Sequence, residues 1–274
     1  MPSSTSCRSL RRAAACLLAV GLLAACAVGA SPPERATLED RARAAGFTRL
    51  SIGDPELPLA TWLGPEPGRT TVLTVVLEGD GAAWPRPDRP PADPTPRHPV
   101  ALGLALTVAD PPVAYLARPC QYDHPPACRP ALWTRDRFSD AVIRATGAAL
   151  DALKDRTVAT RLRLVGYSGG AYIAARLAAV RDDVAALVTV AGVLDPAAWA
   201  RHHGVSPLPP LDAATVARLA TVPQVHWIGA RDTVVPPALA RAVLARIPGA
   251  PAPREVPGFD HACCWVDGWS GSFP

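Results

Sequence analysis

The sequence is poor in lysine, methionine and aromatic residues. It contains one lysine, Lys154, and one methionine, and Phe, Tyr and Trp together make 5% of its 274 residues. Arginine supplies the other fixed positive charges, and the formal net charge of +4 includes three arginines near the start of the chain. No stretch interleaves basic residues with aromatic ones, and this absence argues against a nucleic acid as partner.

The ligand spacings that are typical of metal sites are also absent from the sequence. It has neither a CxxC pair nor an HxxxH pattern on a helix. Its one pair of adjacent histidines, His202 and His203, is better explained by exposure to solvent than by chelation of a single ion. We therefore expect no metal, and nothing in the sequence implies a cofactor.

Residues 1–25 have the pattern of a segment that directs export. Three arginines precede an uncharged apolar run that is too short to remain as a transmembrane helix. The run ends in LAAC at 23–26, which resembles the lipobox of bacterial lipoproteins. That resemblance implies cleavage before Cys26 and a lipid on its sulfur, and two or three acyl chains would anchor the protein to a membrane. The alternative is an ordinary secretion signal that is cut nearby.

This interpretation predicts a location and a domain organisation. The protein would be exported and lipid-anchored at the periplasmic face of the cell envelope. Ala27, and not aspartate, follows Cys26, which favours the outer membrane in a cell with two membranes. Residues 26–46 would form a lipidated tether with a short helix, and 47–274 a single domain.

Four cysteines remain after Cys26 in an oxidising compartment. We expect a disulfide between Cys120 and Cys128, which would close a short proline-rich loop and contribute about 2–3 kcal/mol. Cys263 and Cys264 would form either a vicinal disulfide or two buried thiols.

Apolar runs alternate with helical patterns over most of the chain. The first two runs flank a turn and predict an antiparallel hairpin. Several later runs are β-branched and apolar throughout, which is typical of strands buried on both faces of a parallel sheet. The predicted strands are 47–52, 58–63, 71–77, 112–116, 162–165, 184–190, 222–228 and 253–256. The main predicted helices are 100–108, 136–155, one beginning at Ala171, and 237–247.

The pentapeptide GYSGG at 166–170 lies between a predicted strand and a predicted helix. A serine on so tight a turn needs neighbours without bulky side chains, which accounts for Gly166 and Gly170. The Ser168 hydroxyl would stand at the carboxyl end of the strand. The Gly169 N–H, at the start of the helix, would favour a developing oxyanion. The alternative is a glycine-rich turn with a capping serine.

Two further loops follow predicted strands, GARD ending at Asp232 and GFDH ending at His261. With GYSGG, they give the order nucleophile, acid, base. The chain resembles α/β-hydrolase fold serine hydrolases in these three motifs, over about residues 47–265. The resemblance implies a mostly parallel central sheet of about eight strands flanked by helices. It also implies a short cap insertion at about 194–221.

The same resemblance implies the chemistry of a carboxylesterase, in which Ser168, His261 and Asp232 form a triad and cleave a small-molecule ester or related acyl bond. The turn after strand 71–77 would supply a second oxyanion donor, with Asp80 N–H as the best candidate beside Gly169 N–H. This chain has Glu78-Gly79 where many members have His-Gly.

Several alternatives stay open from the sequence. Asp195 follows the preceding strand and is the second candidate acid. A hydrolase-like envelope lipoprotein that binds a ligand without turnover, or a peptidase or amidase with the same triad, would carry the same motifs. The short, Trp- and Leu-rich cap favours short to medium acyl chains. Nothing in the sequence indicates an oligomeric state.

Overall fold

The computed structural model describes residues 34–65, 71–83, 89–109 and 112–269. The signal peptide expected at 1–25 and the lipid site expected at Cys26 lie outside these residues and stay predictions. Within the described ranges, no helix combines the length and the apolar character needed to cross a bilayer.

Eight strands form one sheet, and their bounds agree with the predicted runs to within a few residues. They are β1 (Thr48–Ile52), β2 (Leu59–Leu63), β3 (Val72–Leu77), β4 (Val113–Leu116), β5 (Arg161–Tyr167), β6 (Val184–Val190), β7 (Gln224–Gly229) and β8 (Arg254–Val256). Their spatial order is β1-β2-β4-β3-β5-β6-β7-β8. The pairs β1–β2 and β2–β4 are antiparallel, and every other pair is parallel. The predicted mostly parallel sheet and its antiparallel hairpin are therefore confirmed.

The central strands are apolar on both sides because helices cover both faces of the sheet. In β3, Leu73 and Val75 pack into the core on one face, and Val76 packs into the core on the other. In β5, Leu164 and Val165 divide in the same way. Burial on both faces explains why these strands are continuous apolar runs and do not alternate with polar residues.

The helices divide between the two cores. The helices α1 (Arg35–Ala44), α2 (Val100–Thr107) and α8 (Trp265–Gly268) pack on one face of the sheet. On the other face lie α3 (Asp140–Arg156), α4 (Gly170–Val180), α5 (Pro196–His203), α6 (Ala213–Leu219) and α7 (Pro237–Leu244). A 3-10 turn at Pro130–Trp133 precedes α3.

Parallel strands present their carboxyl ends at one edge of the sheet, and the predicted site residues follow those ends. Glu78 comes directly after β3, Ser168 directly after β5, and Asp232 shortly after β7. His261 lies in the loop that follows β8. The topology alone thus brings four chain-distant loops to one edge, which is where open α/β sheets bind their ligands.

Candidate active site

Ser168 occupies a sharp turn between β5 and α4. Its φ angle is 49°, in the left-handed region that L-residues other than glycine rarely adopt. A Cβ atom at Gly166 would lie 2.4 Å from the Cα of Ala171, and one at Gly170 would lie 2.6 Å from two backbone oxygens at the end of β3. Glycine is therefore required on both sides of Ser168, as the motif predicted.

The three residues predicted to act together lie within hydrogen-bond distance of one another. His261 Nε2 is 3.0 Å from Ser168 Oγ, and His261 Nδ1 is 2.9 Å from Asp232 Oδ2. Asp232 is 3% exposed. Its other oxygen, Oδ1, accepts hydrogen bonds from the backbone N–H groups of Val234 and Val235 at 2.8 and 2.7 Å. These bonds orient the carboxylate so that Oδ2 faces the imidazole.

The alternative acid, Asp195, has a different role. It caps the N-terminus of α5, where its Oδ1 accepts a hydrogen bond from the N–H of Ala198 at 3.1 Å. Its Oδ2 lies 2.5 Å from Nη1 of Arg246. Both oxygens are thus engaged in holding α5 in place, and Asp232 is the carboxylate that meets His261.

The loop that carries His261 is fastened to the serine turn. The hydroxyl of Tyr167, the residue before Ser168, donates to the backbone oxygen of His261 at 3.0 Å. Burial raises the pKa of Tyr167 well above its usual range, so this hydroxyl stays protonated and remains a donor. Asp260 stabilises the same loop, because its Oδ1 accepts from the N–H groups of Ala262 and Cys263.

The turn at 78–81 lies directly against the serine. A Cβ atom at Gly79 would be 3.0 Å from Ser168 Cβ. Glu78 is buried; its Oε1 accepts from the N–H of Gly79 at 2.9 Å, and its Oε2 accepts from the hydroxyl of Tyr115 at 3.2 Å. Burial raises the pKa of Glu78 to about 7, although both hydrogen bonds act in the opposite direction.

The side chain of Asp80 is held between two arginines. Its Oδ1 lies 3.1 Å from Nη1 of Arg118, and its Oδ2 lies 2.8 Å from Nε of Arg137. Both arginines are buried. A Cβ atom at Gly169 would lie 2.1 Å from Asp80 Oδ1, so glycine is needed there to make room for the carboxylate. The two guanidinium groups offset the negative charge that Asp80 places beside the serine.

A pocket of about 510 Å³ opens over Ser168 and His261. Residues that share its walls are Phe138, Val193, Trp199, Val234 and the turn 79–81. A volume of this size suits a small molecule. His98 is exposed at the edge of the pocket.

The segment expected to form a cap, 194–221, folds into α5 and α6. Trp199 on α5 lines the pocket. By contrast, α6 packs against α4, and Arg218 Nε donates to the backbone oxygen of Ala179 at 3.3 Å. Among the described residues of this segment, α5 therefore supplies the cover at the pocket, and α6 belongs to the helical layer on the sheet.

The four cysteines among the described residues form two disulfides. Cys120 and Cys128 form the predicted disulfide, with an S–S distance of 2.09 Å and a Cα–Cα distance of 5.7 Å. Cys263 and Cys264 are joined as a vicinal disulfide, which is one of the two alternatives left open by the sequence.

Comparison with solved structures identifies the architecture. XC6422 from Xanthomonas campestris, described as an α/β serine hydrolase without lid, superposes with a TM-score of 0.54 at 16% identity, over 81% of this chain and 89% of that one. Est1E from Butyrivibrio proteoclasticus superposes with a TM-score of 0.55 at 17% identity, over 80% and 93% of the two chains. This chain has the α/β-hydrolase fold. No family model and no curated protein matches the sequence.

A third solved structure is similar to this chain. The dienelactone hydrolase-like promiscuous phosphotriesterase P91 from metagenomic libraries superposes with a TM-score of 0.54 at 17% identity, over 79% of this chain and 83% of that one. At such identities the likeness shows the α/β-hydrolase fold, and the chemistry has to be argued from the residues at the site.

Sequence reasoning missed the residues that support the turn at 78–81 in this α/β-hydrolase fold. Arg118 and Arg137 lie outside the three motifs that were recognised in the sequence. One indication was available: Arg118 follows a buried strand by two residues, a position from which a side chain can reach the site edge. Only the N–H of Asp80 was predicted to have a role at the site, and its side chain is paired with these two arginines.

Proposed function

We propose that this protein is a serine hydrolase that cleaves a carboxylic ester, or a related acyl bond, through an acyl-enzyme intermediate. The observation that supports this most directly is the continuous chain of hydrogen bonds from Ser168 to His261 to Asp232 at the floor of a pocket. A serine hydroxyl is a weak nucleophile until a base removes its proton, and this arrangement supplies the base and the group that orients it.

In the proposed reaction, Ser168 Oγ attacks the substrate carbonyl while its proton passes to Nε2 of His261. Asp232 holds the imidazole in the required tautomer and stabilises its charged form. His261 then donates that proton to the departing alcohol, leaving an acyl group on Ser168. A water molecule, activated by the same imidazole, releases the acid and restores the serine.

The tetrahedral intermediate carries a negative oxygen that needs donors. We propose the backbone N–H groups of Asp80 and Gly169 for this role. Gly169 precedes the first residue of α4, where the helix dipole favours negative charge. The close approach of Gly79 to Ser168 brings the neighbouring turn within reach of the same oxygen.

The proposed substrate is a small ester with a short to medium acyl chain. The pocket volume of about 510 Å³ and the single covering helix α5 support this choice. Est1E has been solved with ferulic acid bound, which is itself a small molecule. A series of nitrophenyl esters of increasing acyl length tests the proposal, and best turnover of long chains would contradict it.

A fluorophosphonate probe tests the nucleophile. We expect the wild-type protein to be labelled and Ser168→Ala to remain unlabelled, with loss of ester turnover in the variant. Equal labelling of both proteins would refute the assignment of Ser168. Labelling without ester turnover, together with cleavage of the matching nitroanilides, would redirect the proposal to an amidase.

We also propose that the protein is exported and anchored to the cell envelope through a lipid on Cys26. The support for this is the LAAC sequence after a basic and apolar segment. Expression of the full chain with a labelled fatty acid tests it. Incorporation that disappears in Cys26→Ser is expected, and equal incorporation in the two proteins would refute it.

A further inference from the structure

Gln121 lies behind the turn at 78–81 and is 2% exposed. Its Nε2 donates to the backbone oxygen of Gly79 at 3.1 Å, and its Oε1 accepts from the backbone N–H of Arg118 at 3.0 Å. A backbone N–H can only donate and a carbonyl oxygen can only accept. The two partners therefore fix which end of the side-chain amide faces which.

The bond to Gly79 determines where the N–H of Asp80 points. These two groups belong to one peptide unit, which is trans. In a trans peptide, the C=O and the N–H point in opposite directions. With the oxygen of Gly79 held toward Gln121, the N–H of Asp80 is directed away from Gln121. That other side is the pocket, whose wall includes Gly79, Asp80 and Ser168.

This turn needs an external support because its own sequence is permissive. Gly79 and Gly81 flank Asp80, and Gly81 has a φ of 62°. Glycine adopts several backbone conformations at little cost. Rotation of the Gly79–Asp80 peptide would present a carbonyl oxygen to the pocket, and an oxyanion would be repelled there. Such a rotation would also break the hydrogen bond to Gln121 inside a buried environment.

Gln121 is itself held firmly. The Cys120–Cys128 disulfide begins at the preceding residue, and the N–H of Tyr122 donates to Oγ1 of Thr95 at 2.7 Å. The chain on both sides of Gln121 is therefore fixed, and its amide is presented at a defined place.

We infer that Gln121 is a positioning residue that keeps the Asp80 N–H aimed at the oxyanion of the reacting ester. The inference rests on the proposed hydrolase function. It assigns a purpose to the cysteine-closed loop, which carries the amide that orients the turn. Gln121 touches no substrate in this arrangement and acts only through the Gly79–Asp80 peptide.

The test compares the two glutamines of the chain. In Gln121→Met, a side chain of similar length lacks both amide contacts. We expect kcat for nitrophenyl butyrate to fall about 10- to 100-fold while KM changes less than about threefold, because a donor for the transition state is misaimed and the ground state is little affected. The rate of fluorophosphonate labelling is expected to fall by a similar factor.

Gln224→Met is the matched control. Gln224, the first residue of β7, is also buried, and its Nε2 donates to the backbone oxygen of Leu219 at the end of α6. Its loss is expected to lower stability, measured by thermal unfolding, and to leave kcat within about twofold of wild type. Equal losses of kcat in the two variants would overturn the inference, because the effect would then be general destabilisation.

Gln121→Glu provides a second variant if Gln121→Met does not fold. Glutamate keeps the shape of the side chain and places a carboxylate oxygen, an acceptor, opposite the oxygen of Gly79. We therefore expect a loss of kcat at least as large as in Gln121→Met. Unchanged kcat in a folded variant would overturn the inference. Failure of the proposed function itself has a different signature, since wild type would then show no Ser168-dependent labelling at all.

Discussion

The two turns that lie against each other at the pocket, 166–170 and 78–81, are held in different ways. The turn at 166–170 is fixed by its own sequence, because Gly166 and Gly170 leave room for backbone contacts that any side chain would prevent. The turn at 78–81 is fixed from outside, by side chains from a distant part of the sequence that the fold places beside it. These side chains are Tyr115, Arg118, Gln121 and Arg137. A locally fixed turn can be recognised as a motif, whereas an externally fixed one cannot.

The largest effect is expected from Asp232→Asn, in the part of the site that is held locally. The asparagine oxygen can still accept from Val234 and Val235, but its NH₂ group would face Nδ1 of His261 and favour the wrong tautomer. We expect kcat/KM for a nitrophenyl ester to fall about 10³- to 10⁴-fold. Asp195→Asn is the control, and we expect it to retain activity near wild type while weakening the contact with Arg246.

Gly170→Ala tests how closely the two turns are pressed together. The new methyl group would lie 2.6 Å from the backbone oxygens of Leu77 and Glu78, which cannot move without shifting the turn at 78–81. We expect a loss of roughly 3 kcal/mol in the free energy of unfolding, measured with urea. In Gly147→Ala, the methyl group would meet only Leu177 Cδ2 at 3.5 Å. For Gly147→Ala we expect the free energy of unfolding to rise by roughly 0.5–1 kcal/mol, because alanine favours the helical conformation of α3.

Removal of the Cys120–Cys128 disulfide is expected to lower the stability of the fold and, within the active site, to loosen only the externally held turn. Substitution of both cysteines by serine should cost roughly 2–3 kcal/mol of stability. Looser support of Gln121 should also lower kcat about 3- to 10-fold. Unfolding and ester turnover measured on the same preparation check both effects. A loss of stability with unchanged kcat would show that the loop holds its shape without the bond, and would break the proposed connection between loop and turn.

These expectations mark what the sequence could and could not predict. Ser168, Asp232 and His261 were found because each lies in a glycine-containing loop at a strand end, so one local pattern revealed both position and chemistry. The sheet followed from apolar runs whose composition matched burial on both faces. Gln121, Arg118 and Arg137 were missed because their roles depend on contacts with Gly79 and Asp80, about 40 to 60 residues away along the chain.

The smallest effect concerns the pH dependence of stability that arises from Glu78, the buried carboxyl group at the start of the turn at 78–81. The pKa of Glu78 is about 7 in the folded protein, above its ordinary value of 4.5. The folded state therefore holds this proton more tightly, and the contribution of Glu78 to stability declines as pH rises from about 4.5 through 7. In Glu78→Gln, we expect the change in unfolding free energy between pH 5 and pH 8 to differ from that of wild type by up to about 2 kcal/mol.

The sign of that difference gives a clear check. Wild type should lose stability relative to Glu78→Gln as the pH is raised, and the opposite trend would contradict the assignment. His226, whose pKa burial lowers to about 4, is common to both proteins, so its titration cancels in the comparison.

The shortest strand of the sheet, β8, has a consequence for behaviour on warming. It has three residues, it pairs on one side with β7, and two of its residues are exposed at the sheet's margin. The loop bearing His261 begins just beyond it. Segments with so few protected amide groups fray at a lower free-energy cost than the interior strands. We expect ester turnover to decrease reversibly at temperatures where amide hydrogen exchange still shows protected interior strands. The His261 imidazole would then leave its place beside Ser168 before the protein unfolds as a whole.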